Sequence, residues 1–188
     1  TRNFPPDIGG IQSLMEGLSN ALLNHGPVKV IADKSENCEQ YDENSKLKIQ
    51  RVGGFKIIKK YRKANLVKDF ISNNDLRAVF FDHWKSIENI NISVLKKTNT
   101  FCLIHSKEIN HPQGSNLSNR MLSALNKTNF VIANSNFTKN LITKLGYKKN
   151  NVKVINPGCN YPIEVSKDSK FFAENIYRDS YPKLITIS

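Results

Sequence analysis

Acidic residues are scarce in this chain, and cysteine, tryptophan and long apolar runs are scarcer. Asp and Glu number 16 against 28 Lys and Arg, which leaves a formal charge of +12. An excess of that size suits an anionic partner such as nucleic acid, an acidic membrane surface or a phosphorylated substrate. A Lys- and Asn-rich composition with merely solvated lysines gives the same excess. Cys38, Cys102 and Cys159 stand far apart with no C-x-x-C spacing. That argues against a disulfide framework or a zinc site, and it fits a reducing cytoplasm. No apolar run approaches the roughly 20 residues that a spanning helix needs. The first residues are polar and proline-bearing, so no signal peptide is expected. No Met opens the chain, so its true N-terminus is expected to be missing. Sequons such as Asn91-Ile92-Ser93, Asn126-Lys127-Thr128 and Asn136-Phe137-Thr138 carry no meaning without secretion. Neither G-x-G-x-x-G nor a P-loop occurs, which removes the dinucleotide fingerprint and the ATPase motif. No aromatic platform or recognition motif points to nucleic acid, and no metal or cofactor is expected.

What is present begins with Phe4-Pro5-Pro6-Asp7-Ile8-Gly9-Gly10-Ile11-Gln12. Two prolines are expected to hold the approach extended. Two glycines then let the backbone turn and approach a ligand. An amphipathic helix follows, with Ile11, Leu14, Met15, Leu18, Ala21 and Leu22 on one face and Gly26 as its stop. A glycine pair at a helix start leaves bare N–H groups at the positive end of the dipole, a site for phosphate or another anion. Taken alone, the stretch is simply a turn that starts a helix.

At 188 residues the chain holds one good-sized domain, or one plus the edge of another. Short apolar runs at Val28–Ala32, Leu47–Val52, Arg77–Phe81, Thr100–Ile104, Phe130–Ala133 and Val152–Ile155 read as buried strands. Helical patterns alternate with them. Asp33–Lys46 reads as a polar loop, and Ser86 as the cap of a helix running to about Lys97, with Glu88 near its positive end. Helices are also expected at Leu117–Lys127 and at Asn136–Leu145, the latter capped by Ser135 and closed by Gly146, with a short one at Phe171–Tyr177. Phe55–Ser72 is a basic helix, with Phe55, Ile57, Ile58, Tyr61, Leu66, Phe70 and Ile71 as its apolar positions. Lys59, Lys60, Arg62 and Lys63 make it a candidate membrane-binding helix facing anionic headgroups. An ordinary charged surface helix has the same pattern.

Alternation at this spacing implies an α/β fold, a Rossmann-like parallel sheet with helices on both faces. In such sheets the site lies beyond the C-terminal ends of the strands. Gly9-Gly10, Asp82-His83-Trp84, His105–Glu108, Asn134-Ser135 and Asn156-Pro157-Gly158 should therefore share one rim.

This set of rim residues, in this order, resembles the N-terminal domain of a GT-B glycosyltransferase of family four. That group includes the phosphatidylinositol mannosyltransferases and many bacterial envelope enzymes. The Phe4–Gln12 stretch is similar to the family's entry. Ile104-His105-Ser106-Lys107-Glu108 resembles its His-Gly-x-Glu segment, with Ser106 in place of the glycine. Val131–Thr138, with Leu141 and Gly146, resembles its strand–helix unit, and Val154–Asn160 the turn before its domain hinge. Leu184–Ser188 is similar to the first strand of its second domain.

The resemblance implies an N-terminal, acceptor-side domain over residues 1–158, a linker over 159–182, and the start of an absent donor-binding domain at 183–188. It implies retaining transfer of a sugar from a nucleotide-sugar to a lipid or glycan acceptor in cell-envelope glycan synthesis. The expected setting is the cytoplasm, peripheral on the inner face of the membrane. His105 would face the transferred sugar as the catalytic residue. Gly9, Gly10, Gln12, His83, Trp84, Glu108, Ser135, Asn156 and Gly158 would bind substrate. Without the resemblance, His105 reads as a core histidine at a strand end. Two departures stand out. The family's sheet has a central strand before the Phe-Pro-Pro segment, and its second domain carries a basic residue and an E-x7-E pair. Both lie outside this chain, so the fragment alone is expected to be inactive. Two other readings stay open. One is a non-catalytic, membrane-associated binding subunit of a split glycosyltransferase. The other is a GT-B type nucleotide-sugar epimerase, with Asp82 and Glu108 as rim acids.

Overall fold

The computed structural model describes residues 1–158 and 164–178, which fall into two units, Thr1–Pro157 and the residues from Gly158 on. The first unit is an α/β fold with parallel sheets, strands alternating with helices in a Rossmann-like manner. One sheet pairs β1 (Lys29–Asp33) with β2 (Lys48–Val52). The other runs β3 (Ala78–Phe81), β4 (Asn99–Ile104), β5 (Phe130–Ala133) and β6 (Val152–Val154) in sequence order. Every paired strand is parallel to its neighbour.

Side chains alternate across a strand, so each strand feeds two cores. Phe81, Cys102, Ile104, Val131 and Ala133 face one core, packed with Trp84, Ile87, Ile90, Met121, Leu125 and Ile142. This core takes in α3 (Lys56–Asn73), α6 (Asn116–Leu125) and α7 (Asn136–Lys144) through Ala64, Ile71, Met121 and Ile142. The intervening residues Phe80, Leu103 and Ile132 turn to the other face. There they meet Val30 and Ala32 of β1, Phe4, and Met15 of α1 (Gly10–Leu23). Helices thus cover both faces, as the alternation requires. Phe80, Phe101 and Phe130 stand in register on three adjacent strands. Their rings stack with centroids 4.8 and 5.1 Å apart, the cross-strand contact that fixes register.

Between β1 and β3 the residues Thr1–Asn3 form a junction in place of a strand ladder. The Thr1 amino group donates to the Ile31 carbonyl at 2.8 Å. The N–H groups of Arg2 and Asn3 donate to Asp82 Oδ2 at 2.6 and 3.2 Å, and the Thr1 hydroxyl donates to it at 2.9 Å. Lys63 donates to Asp33 at 2.5 Å and to the Thr1 carbonyl at 3.1 Å. Asp82 is buried. Burial pushes its carboxyl up, while the Arg2 N–H, the Thr1 hydroxyl and Lys63 favour its charged form.

Several local expectations are corrected. Asp33–Lys46 is not all loop, because α2 (Cys38–Asn44) forms there. Cys38 is buried, and Tyr41 meets the Phe4 ring edge-on, so two apolar anchors four residues or fewer apart fold a polar segment onto the core. No helix runs from Ser86 to Lys97. Trp84–Ser86 is a single 3₁₀ turn, and α4 (Ile92–Leu95) is one turn capped by Asn91, which accepts from the Ser93 N–H at 3.1 Å. Ile87 and Ile90 are drawn fully into the core. Pro5 and Pro6 make a turn with a cis peptide bond rather than an extended approach. On α1, Ala21 faces solvent, and Ser19 is buried instead, its hydroxyl satisfied by the Met15 carbonyl at 2.7 Å.

In the second unit, α8 (Lys167–Tyr177) starts earlier than the Phe171 expected, because Ser166 caps it by accepting from the Ser169 N–H at 3.1 Å. The strand expected at Lys183–Ser188 and the turn residues Cys159 and Asn160 lie outside the described residues. Among the described residues no helix is long and apolar enough to cross a membrane.

Candidate functional site

Parallel strands end on the same side, so the residues after β3, β4, β5 and β6 stand on one rim. Those residues are Asp82–Lys85, His105–Glu108, Asn134-Ser135 and Ile155-Asn156. The short helix α5 (Ser106–Ile109) follows β4 at once. Its third residue, Glu108, turns back so that Oε1 accepts the His105 N–H at 2.9 Å, the return half of a capping box. Glu108 Oε2 lies 2.9 Å from His83 Nε2, with both side chains about 10% exposed. His83 Nδ1 accepts the Lys85 N–H at 3.0 Å, which assigns the ring proton to Nε2, aimed at Glu108. His83 and Glu108 are thereby bound to each other across the ends of β3 and β4.

Trp84 is fully buried in the core, and its indole N–H donates to the Glu108 carbonyl at 3.3 Å. The expected substrate-binding role of Trp84 is corrected on that ground: its ring meets protein on every side. Glu108 and Ser135 are likewise committed. Ser135 caps α7, accepting from the Thr138 N–H at 3.2 Å. Asp82 and Glu108 were the rim acids available to an epimerase, and each spends its oxygens on backbone N–H groups, on the Thr1 and Ser86 hydroxyls or on His83.

His105 is different. Its Nδ1 lies 3.5 Å from Asn134 Nδ2, and Asn134 Oδ1 accepts from the Thr138 hydroxyl at 2.6 Å. The Thr138 hydroxyl fixes the Asn134 amide so that its NH₂ faces the ring. His105 Nδ1 is then the acceptor, and the proton sits on Nε2. That Nε2 is buried and has no hydrogen-bond partner among the described residues. An unmet buried donor costs about 1–3 kcal/mol, so it is the group on this rim with most to gain from a ligand oxygen. The ring as a whole is half-buried, and χ2 is its softest torsion, the one that would swing Nε2 outward.

At the start of α1, no side chain caps the first turn, and the turn contains no acidic residue. Gly10 is exposed with open space beside its α-carbon. Gly9 is covered by Gln12, whose Oε1 would lie 2.4 Å from a Cβ placed there. Asn156 is exposed at the end of β6, while Gly158 opens the second unit. A groove of about 600 Å³ lies elsewhere, lined by Glu16, Asn20, Tyr41 and Lys46, and contains none of the rim residues.

Lys85 also stands on this rim, 5.3 Å from the Trp84 ring. Burial pushes its ammonium pKa down, the charges of Arg2, Lys56 and Arg120 push it the same way, and Glu88 opposes them. Sequence reading missed Arg2, Lys56, Lys85 and Arg120 as a group. Only Lys85 carried a signal, its place just after β3.

Three of the four basic residues expected at a membrane are ion-paired within the protein. Lys59 pairs with Asp33 at 2.9 Å, Lys60 with Glu88 at 2.8 Å, and Lys63 is buried on Asp33. Arg62 alone of the four stays exposed, 3.3 Å from the Gly53 carbonyl. Glu88 also receives Arg120 at 2.6 Å, and these partners, Arg120 first, hold its carboxyl down at about 2. A depressed carboxyl stabilises the fold above its unfolded value near 4.5 and loses that contribution as pH falls toward 2. Arg120 is 52% exposed, so the pair is discounted for solvent. Glu88→Gln should cost about 1–2 kcal/mol at pH 6. Urea titrations of both proteins should show the difference shrinking between pH 4.5 and pH 2.5.

No protein-family model matches this chain, and no curated protein matches it significantly.

Proposed function

We propose that this chain is the N-terminal, acceptor-side portion of a retaining GT-B glycosyltransferase of family four. It would help transfer a sugar from a nucleotide-sugar to a lipid or glycan acceptor in cell-envelope glycan synthesis, at the cytoplasmic face of the membrane. The observation that carries the reading is His105: a buried Nε2 donor without a partner, at the end of a central strand of a parallel sheet. Two further features support it. The sheets part between β1 and β3, where the family resemblance calls for another strand. The uncapped start of α1 offers N–H groups to a phosphate.

In this reading the donor nucleotide sits mainly on the second domain, and this chain closes over the sugar. His105 donates a hydrogen bond to a sugar oxygen and so holds the donor in reactive geometry. Gly9, Gly10 and the α1 N–H groups offset charge on the leaving diphosphate or an acceptor phosphate. Gln12 shifts off Gly9 to admit it. No carboxylate on this rim is placed as a covalent nucleophile, because Asp82 and Glu108 are already committed.

The test uses the complete protein from its full reading frame, titrated with a panel of nucleotide-sugars and assayed with lipid and glycan acceptors. One nucleotide-sugar should bind and be turned over. His105→Ala should lower kcat by about 100- to 1,000-fold, the usual loss for one transition-state donor, with a smaller change in KM. Absence of binding to any nucleotide-sugar overturns the reading. Full turnover by His105→Ala removes His105 from it.

A further inference from the structure

Ser135, Thr138, Asn134 and His105 form a chain of polar side chains in which every proton can be placed. Thr138 is buried, and its hydroxyl lies 2.6 Å from Asn134 Oδ1. That separation suits O–H···O and is shorter than the usual N–H···O range, so the amide oxygen faces Thr138 and the hydroxyl donates. A hydroxyl has one proton. The Ser135 hydroxyl, 3.1 Å from Thr138 Oγ1, is therefore the donor of that pair, while Ser135 Oγ accepts the Thr138 N–H at 3.2 Å. With its oxygen turned to Thr138, Asn134 presents Nδ2 to His105 Nδ1 at 3.5 Å. An amide nitrogen only donates, so Nδ1 accepts and the ring proton goes to Nε2. Among the described residues no carboxylate bonds to the ring. Glu108, three residues on, spends Oε1 on the His105 N–H and Oε2 on His83. The last member of the chain, His105 Nε2, is buried and has no partner among the described residues.

We propose that Asn134 and Thr138, with Ser135 at the head of the chain, are positioning residues that make His105 Nε2 a fixed donor to a ligand oxygen. The bonds all run one way, and each polarises the next. The ligand group that faces Nε2 must carry a lone pair, as a hydroxyl or carbonyl oxygen does. An ammonium there would leave the buried N–H unmet and is selected against. Ser135 and Thr138 also form the first turn of α7, so the folding of that helix sets the polarity of the site. That the oxygen belongs to a sugar rests on the transfer reading; the direction of the chain does not.

The experiment uses the complete protein with isotope-labelled histidine. Ring tautomers are read from two-bond nitrogen–proton correlations at about pH 9, above the usual imidazole range. The His105 signals are those lost in His105→Ala, and in the parent they should place the proton on Nε2. Asn134→Asp is nearly isosteric but offers only acceptors, so the proton should move to Nδ1. Thr138→Val frees the amide to turn and should give both tautomers, whereas Thr138→Ser keeps the hydroxyl and should show the parent pattern. With a donor and acceptor that the parent turns over, Asn134→Asp should lower kcat at least about tenfold with a smaller change in KM, because Nε2 then accepts where it should donate. Thr138→Ser should recover most of what Thr138→Val loses. A parent proton on Nδ1, or a pattern unmoved by Asn134→Asp and Thr138→Val, overturns the proposal. So does a moved pattern with unchanged kcat. A parent that shows these ring patterns but transfers no sugar upholds the chain and counts only against the transfer reading.

Discussion

Trp84→Ala is expected to lower the unfolding free energy by about 3–5 kcal/mol, the range for removing a fully buried large aromatic. Trp84 is 0% exposed and sits among Ile87, Ile90, Leu95 and Ile104. Its loss leaves a cavity beside β4, which is held by pairing with β3 and β5, so collapse around it is limited. It also leaves the Glu108 carbonyl without its indole donor. Trp84→Phe keeps most of the volume and should cost less, about 1–3 kcal/mol, mainly through the lost hydrogen bond and imperfect fill. Trp84 is the only tryptophan, so its fluorescence reports unfolding of the parent, while far-UV circular dichroism in urea serves all three proteins. A change below about 1 kcal/mol together with a loss of ligand affinity would return Trp84 to the binding surface.

The strands were legible because each is a short apolar run bounded by polar or turn residues. The run Phe130–Ala133 between Asn129 and Asn134 leaves little choice of element. Alternation and chain direction then place His105, Asn134 and Asn156 on one rim. The inward turn of the α3 lysines was not legible. Periodicity shows that apolar and basic residues share a helix, but not which set turns inward. That choice is made by Asp33 and Glu88, two carboxylates about 30 residues away in opposite directions along the chain. Trp84 follows the same logic. An aromatic in a polar turn at a strand end suits a ligand site, yet Ile87 and Ile90 pull the turn under the sheet edge and bury the ring. The orphan nitrogen of His105 has no sequence signature, because it depends on Asn134 and Thr138 occupying the one side of the ring that they reach.

Glu108→Ala is expected to cost about 2–4 kcal/mol, because a nearly buried carboxylate here serves two separate donors. One oxygen caps the His105 N–H at 2.9 Å, and the other meets His83 Nε2 at 2.9 Å. Removing both leaves two polar groups without acceptors in a region where each side chain of the pair is about 10% exposed. Glu108→Gln keeps one acceptor but presents an NH₂ to whichever donor remains, so it should cost about 1–2 kcal/mol. A double-mutant cycle with His83→Ala separates the two roles. The His83 half should appear as a coupling of about 0.5–3 kcal/mol, and the remainder belongs to the His105 cap. His105 lies at the junction of β4 and α5, its backbone held by Glu108 and its Nδ1 3.5 Å from Asn134 Nδ2. If the proposed transfer holds, Glu108→Ala in the complete protein should lower kcat by loosening His105, and Glu108→Gln should recover part of that loss along with part of the stability. Stability measured by urea titration and kcat should then fall and recover together. A Glu108→Ala protein as stable as the parent, with a raised KM for one substrate and unchanged kcat, would show instead that Glu108 itself contacts the ligand.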